Sequence, residues 1–332
     1  MALRRAVQLA GLGAGATVAV GVAGLCLDAP PADDGSPDYL AKHAQHVATR
    51  DRLPAVFYSA ARSTFLFYPA TLVAKVYLGA LNSFSMQNED ALAKWILARP
   101  RHRSLITVTN HSSTVDDPAL FARMLPWACA NPRVSRWGLC SQEYCYTKGP
   151  LLSAVFYGSK TLPIKRGAGI DHPMLHDLFK KVQMGEWVHV FPEGKIVQGG
   201  HLGQRDEPMQ TKIGGLKWGV GKLIARAEET PIVVPIYHLG LDAVMPQNAN
   251  HKLKSMIPTT GNHVHVRVGE PIYFDDLFEK YAKDRVQGAE SPDLWVSQTS
   301  EHALYSDITR RIEQALLALE AQCYEDLKVL SP

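Results

Sequence analysis

The chain has little cysteine and places it irregularly: Cys26, Cys129, Cys140, Cys145 and Cys323 are the only five in 332 residues. No C-x-x-C pair occurs, which argues against a disulfide framework or a structural zinc site. None of the thirteen histidines sits in an H-E-x-x-H array, so no metal is expected. A G-x-S-x-G elbow is missing, which disfavours a serine hydrolase. A G-x-x-x-x-G-K-[ST] loop is missing too, which disfavours a nucleotide-phosphate site. Excess charge is also lacking. A net charge of +3 makes no case for nucleic acid, although it suits an anionic lipid surface.

What is present is an ordinary globular composition, 46% hydrophobic and 20% charged, in a length that fits one large α/β domain or two small ones. The N-terminus departs from it. Arg4 and Arg5 precede a run from Ala6 to Leu27 without a charge, and no acidic residue occurs before Asp28. About 20 apolar residues suffice to span a bilayer. The run is rich in Gly and Ala, with Gly11 and Gly15 at small-xxx-small spacing. An anchor helix, a secretory signal and a mitochondrial targeting segment all remain open. The string from Gly11 to Ala16 matches a loose dinucleotide fingerprint, but no βαβ unit follows it, so that reading fails.

Pro30 to Pro37 reads as a linker and Tyr39 to Arg52 as a short polar helix. Pro54 to Leu81 is apolar and aromatic, interrupted by Arg62 and Lys75, with an uncharged centre around Pro69 too short to cross a bilayer. It reads as a helix pair dipping into one leaflet; a buried amphipathic pair is the competing interpretation. β-prone runs then follow at Leu105–Thr109, Trp137–Leu139, Thr161–Ile164, Trp187–Phe191, Ile232–Tyr237 and His263–Val268. Helical stretches at Pro173–Met184, Leu216–Glu228 and Ser300–Leu327 separate several of them. The alternation predicts an α/β fold with a mostly parallel central sheet flanked by helices. Leu304, Ile308, Ile312 and Leu319 form one packing stripe on the last helix. Gly199 to Gly215 reads as a mobile loop. The chain thus divides into a targeting or anchor segment with linker (1–53), a membrane-interfacial helical segment (54–82) and an α/β domain (83–332).

The chemistry concentrates where the first strand ends. Asn110 and His111 follow Thr109 directly, at the strand end where open α/β sheets bind ligands. Asp116, Asp117 and Pro118 read as a helix start, aspartate capping and proline leading. On a continuous helix His111 and Asp116 would lie about 140° apart. They meet only if the backbone turns between them, which Ser112, Ser113 and Thr114 permit. A carboxylate on one imidazole nitrogen fixes the tautomer and lets the other nitrogen take a proton from a hydroxyl. The plainer alternative makes the aspartates a helix cap and His111 a loop residue.

Further blocks weigh against that alternative. The run N-H-x-x-x-x-D from Asn110 to Asp116 resembles the signature of the glycerolipid acyltransferase superfamily. Three more blocks follow in that superfamily's order: Gly158–Gly167 (GSKTLPIKRG), Phe191–Gly194 (FPEG) and Val233–Ile236 (VVPI). Within the superfamily, Asn110–Pro118, Trp187–Lys195, Leu216–Ile224 and Pro231–Gly240 look most like the tafazzin branch, a similarity covering roughly Pro54 to Pro271. The stretch before Pro54 has no counterpart there, and the loop from Val197 to Gly215 is longer than usual.

The resemblance implies a phospholipid–lysophospholipid transacylase of mitochondrial membranes, facing the intermembrane space and remodelling cardiolipin. His111 would then be general base and Asp116 its orienting partner. Arg166 would take the substrate phosphate, and Glu193 and Gly194 would belong to the glycerophosphate site. The residues themselves allow Arg166 to fork onto a phosphate, Glu193 to meet a glycerol hydroxyl or orient Arg166, and Lys195 and Lys217 to meet headgroup phosphates. His189 and His238 read as core histidines, Trp187 and Trp218 as packing. Expected partners are cardiolipin, monolysocardiolipin, phosphatidylcholine and the membrane, with no nucleic acid and a homo-oligomer left open. No cofactor is expected. The rivals are an acyl-CoA-dependent acyltransferase acting on lysophospholipid or glycerol 3-phosphate, and a catalytically silent lipid-binding protein.

Overall fold

The structure, a computed structural model, describes residues 18–32, 36, 38–50, 52, 54–170, 173–199, 202, 215–284 and 298–330. The apolar N-terminal run therefore enters the description only at residue 18, and most of the Gly199–Gly215 loop and half of the 30–37 linker lie outside it. Among the described residues no helix is long and apolar enough to cross a membrane.

Helix α1 (residues 18–28) and α2 (Tyr39–Arg50) lead into α3 (Ala55–Arg62). A π-helical turn, Ser63–Phe67, joins α3 to α4 (Tyr68–Ala80), and the flanking residues keep right-handed helical dihedrals. The expected helix pair is thus one continuous helix with a π turn in it. Pro69 has no N–H and its ring crowds the carbonyl four residues back. A wide turn one step earlier absorbs that mismatch without breaking the helix. Then come β1 (Ser83–Gln87), α5 (Glu89–Ala98), β2 (Leu105–Thr109), α6 (Phe121–Met124), β3 (Gly138–Ser141), α7 (Gln142–Cys145), α8 (Pro150–Gly158) and β4 (Thr161–Ile164). The remainder is α9 (Pro173–Gln183), β5 (Trp187–Val190), α10 (Gly219–Arg226), β6 (Ile232–Leu239), α11 (Leu241–Val244), β7 (His263–Val268), α12 (Asp275–Lys280) and α13 (Gln298–Leu330).

The main sheet runs β1-β7-β6-β2-β5, and β3 pairs with β4 beside it. A parallel bridge from Trp137 to Val188 attaches β3 to the β5 edge. Every strand pair is parallel except β6 with β7. The predicted α/β class holds. β2 is central because all five of its residues are buried on both faces. Its β-branched run Ile106-Thr107-Val108-Thr109 suits a strand covered by helices on each side. Alternation then sorts the core. Ile106, Val108, Val188 and Val190 pack with α9, α10 and α13, whereas Leu105, Trp187, Val234 and Val264 pack with α4, α5 and α6. The predicted stripe of α13 is buried throughout.

Irregular spacing argued against a disulfide framework, yet one pair, Cys140 and Cys145, is bonded. The chain turns straight from β3 into α7, which brings their Cα atoms to 6.3 Å, within disulfide reach. Cys26, Cys129 and Cys323 are free.

Candidate active site

β2, β5, β3 and β4 run parallel, so their carboxyl ends share one edge of the sheet. His111 stands at that edge after β2. Residues 112–115 form the bend the spacing required, closed by Asp116 N–H donating to the Ser113 carbonyl at 3.3 Å. His111 Nδ1 then lies 2.9 Å from Asp116 Oδ2. A carboxylate only accepts, so Nδ1 carries the proton and Nε2 is the ring nitrogen left with a lone pair. The same Oδ2 accepts the backbone N–H groups of Ser112 and Ser113 at 2.7 and 2.8 Å. Asp116 is fully buried. These donors hold its carboxylate in place before any substrate arrives.

Asp117 departs from helical geometry, with φ −123° and ψ 119°. A residue before proline is driven to the extended region. That conformation points neighbouring carboxylates in different directions: Asp116 to His111, Asp117 to a buried hydrogen-bonded ion pair with Arg136. Burial pulls the Arg136 guanidinium down to about 10.

Just past β5, Phe191 stacks on the His111 ring at 4.0 Å between centroids, and His189 meets Phe191 edge-on at 4.5 Å. Glu193, also just past β5, is buried, and its Oε1 accepts the backbone N–H of His111 at 2.8 Å. Glu193 was expected to meet a glycerol hydroxyl or to orient Arg166; in the structure its Oε1 faces the 111–116 bend. Gly194 has φ +70°, and a Cβ there would stand 3.3 Å from Lys217 Cγ. Lys217 N–H donates to the Pro192 carbonyl at 2.6 Å. Gly194, half-buried Lys195 and exposed Lys217 thus border one turn beside His111. Arg166 is exposed at the end of β4, three strands along the edge, a lateral separation of roughly 14 Å from β2. Its guanidinium lies 5.4 Å from the Tyr144 ring centroid. The structure therefore places every expected residue on one edge and brings His111, Asp116, Glu193, Gly194 and Lys217 close together, with Arg166 apart.

His189 and His238 are buried as expected, but neither is remote. His238 Nε2 lies 3.1 Å from the Asn110 carbonyl and 3.7 Å from Asp116 Oδ2. Asn110 clamps the His238 backbone with both ends of its amide, at 3.0 Å each. Burial outweighs the Asp116 charge and pushes the His238 pKa down, and it pushes His189 well down. Both rings are neutral spacers. Gln198, unmarked by sequence reasoning, donates to the Ser112 and Met245 carbonyls at 2.9 Å each and accepts from Gln247 N–H at 2.7 Å. Apart from its place a few residues after the FPEG block, nothing in the chain announced that role. Among the described residues no cluster of His, Cys, Asp and Glu has the arrangement of a metal site.

The sequence profile of the Acyltransferase family matches residues 87–239, a stretch that contains the arrangement from Asn110 to His238. N-acylphosphatidylethanolamine synthase of Arabidopsis thaliana is 33% identical over 74% of this chain and 87% of its own length. Tafazzin of Drosophila melanogaster is 29% identical over 78% of this chain and 61% of its own. Taffazin of Dictyostelium discoideum is 32% identical over 64% of this chain and 70% of its own. On these similarities the chain belongs to the acyltransferases of the glycerolipid superfamily, as a homologue of the tafazzins.

Proposed function

We propose that the chain transfers acyl groups between phospholipids and lysophospholipids without coenzyme A, with His111 as general base and Asp116 holding it. The observation that carries this reading is the 2.9 Å contact of His111 Nδ1 with a buried, backbone-fixed carboxylate at the sheet's ligand-binding edge. Nε2 takes the proton of the lysophospholipid hydroxyl as its oxygen attacks the ester carbonyl carbon of a donor lipid. The tetrahedral intermediate collapses, the donor's glycerol oxygen leaves, and it receives the proton back from Nε2. General-base assistance of this kind supplies roughly 10²- to 10⁴-fold. One ester is exchanged for another, so the step is near thermoneutral and runs both ways. Lys195 and Lys217 border the reacting centre, and Arg166 takes a phosphate further along the edge.

A lipid surface as the working environment is supported by α4, whose polarity is inverted. Thr71, Ala74 and Leu78 face the protein, while Tyr68, Leu72, Val73 and Val76 are exposed, Val73 at 65%. Soluble helices put that row inside. Trp127 is exposed beside it, with Lys75 reaching over the ring at 5.6 Å. Segment 54–82 is accordingly assigned to the bilayer interface. The similarity to tafazzins supports a mitochondrial membrane facing the intermembrane space, with cardiolipin and monolysocardiolipin among the substrates.

The Arabidopsis relative favours a second reading, in which the acceptor is the amine of phosphatidylethanolamine. His111 would serve there as well, and an amide would replace the ester. Incubating purified protein with labelled lysophospholipid, phosphatidylcholine and phosphatidylethanolamine, with and without acyl-CoA, separates these readings by product mass. New diacyl phospholipid without acyl-CoA, lost in His111→Ala, is expected. N-acylated product would select the second reading, strict acyl-CoA dependence would select a thioester donor, and unchanged turnover in His111→Ala would end both.

A further inference from the structure

The connection between β6 and β7, residues 240–262, carries a feature that neither the motifs nor the acyl-transfer chemistry uses. Met256 and Ile257 are 83% and 77% exposed, among the most open apolar side chains of the described residues. Such exposure on a floppy tip would mean little, but this tip is built. Lys254 N–H donates to the Pro246 carbonyl at 2.9 Å, and Asn248 N–H to the Lys252 carbonyl at 2.8 Å. Asn248 Oδ1 accepts from Asn250 and Lys252 N–H, and Ser255 Oγ from Ile257 N–H at 2.9 Å. Thr259 is tied to α11 through its N–H to the Val244 carbonyl and its hydroxyl to the Ala243 carbonyl. Met256 and Ile257 thus stand in water between two anchored points, a hairpin closed over 246–254 and Thr259 on α11, with Ser255 fixing the Ile257 N–H.

Charge and position say what should cover them. No aspartate or glutamate occurs between Asp242 and Glu270, while Lys252 and Lys254, both exposed, precede the apolar pair. Two apolar residues with cations one step behind are the arrangement of a side-chain wedge at a lipid headgroup layer. The tip also continues the exposed row of α4. Tyr77 of α4 donates its hydroxyl to the Thr259 carbonyl at 2.7 Å, and Gly261 N–H donates to the Leu81 carbonyl at 2.8 Å. Leu81 is itself 48% exposed.

We propose that the 251–258 tip is a second bilayer contact, in which Met256 and Ile257 enter the acyl layer of an anionic phospholipid surface and Lys252 and Lys254 meet its headgroups. The proposal rests on the lipid-surface reading of α4 and adds to it a defined orientation. Two separated contacts fix how the molecule lies, where one helix would leave it free to roll. Gln198 ties the root of the loop, at Met245 and Gln247, to Ser112 of the 111–116 bend.

The test is vesicle flotation of the full chain, using phosphatidylcholine vesicles with and without phosphatidylglycerol. Three double variants are compared: Met256→Ser with Ile257→Ser, Lys252→Ser with Lys254→Ser, and Leu72→Ser with Val76→Ser, each checked for an unchanged thermal midpoint. Loss of the two apolar tip side chains is expected to lower partitioning at least about tenfold on both vesicle types. Loss of the two lysines is expected to lower it only where phosphatidylglycerol is present. Parent-like flotation of the Met256/Ile257 variant overturns the tip proposal. If the α4 variant alone loses binding, the α4 reading stands without it; if neither does, both fall. A shift in oligomeric state in the tip variant with parent-like flotation assigns the tip to a protein partner instead, and also overturns the proposal.

Discussion

Replacing Asp116 by asparagine keeps the shape of the bend and removes its charge. In the parent, three N–H groups converge on Oδ2: Ser112 at 2.7 Å, Ser113 at 2.8 Å and His111 Nδ1 at 2.9 Å. An asparagine oxygen in the same place still accepts all three, so the bend survives. Each backbone bond loses its charge assistance, worth about 1 kcal/mol. What fails is the proton transfer. As the imidazolium forms, its charge and the carboxylate sit about 4 Å apart, worth about 4 kcal/mol at an effective dielectric near 20. Losing that attraction in the transition state slows acyl transfer about 10³-fold. Because Asp116 is fully buried, it touches no lipid, so kcat falls while KM stays near the parent value. Product formation from labelled lysophospholipid under saturating donor vesicles measures this, with circular dichroism confirming the fold. A folded Asp116→Asn enzyme within tenfold of parent kcat refutes the assignment of Asp116 as the group that stabilises His111.

Acidification should weaken the fold through the two buried imidazoles. Burial holds His189 and His238 below their ordinary 6.5. The unfolded chain therefore binds more protons below that value, and stability is full above about pH 6.5 and falls as pH drops through it. His189→Gln and His238→Gln should each flatten the slope of thermal midpoint against pH, and an unchanged slope in both contradicts the argument. Asp28 is buried against Arg62, with Nε to Oδ2 at 2.7 Å. Asp28→Leu strands a guanidinium and should cost about 3–5 kcal/mol in urea unfolding, whereas Asp28→Leu with Arg62→Leu should cost less than the single change. Gly240 has φ +90°, and a Cβ there would stand 2.0 Å from the His263 carbonyl oxygen. Gly240→Ala should destabilise by about 2–3 kcal/mol or leave no soluble protein, while parent-like urea unfolding would contradict the crowding.

How legible the fold was depended on burial. β2 coincides with its β-branched run because it is covered on both faces, β4 with Thr161–Ile164, and β7 with the alternation of Val264, Val266 and Val268 against His263, His265 and Arg267. β1 escaped notice: Ser83, Ser85 and Gln87 make an edge strand polar, and its pairing with β7 joins residues about 180 positions apart. Within 54–82 the helical character was readable. The continuity through a π turn was not, since no residue type marks i to i+5 bonding.

The catalytic block was legible for a different reason. Strand end, histidine, turn-forming residues and aspartate lie within eight consecutive positions, Thr109 to Asp116, so local backbone geometry alone can close the contact. By itself, the chain thus determined its α/β class, the contact of His111 with Asp116 and the edge of the sheet that carries it. Tertiary structure decided the rest: Glu193 under the His111 backbone, Phe191 against its ring, His238 beside Asp116, Gln198 stapling three segments, and the cysteine pair. Those contacts join strands and loops that become neighbours only when the sheet assembles. Linear spacing carries no signal for a distance that depends on strand order.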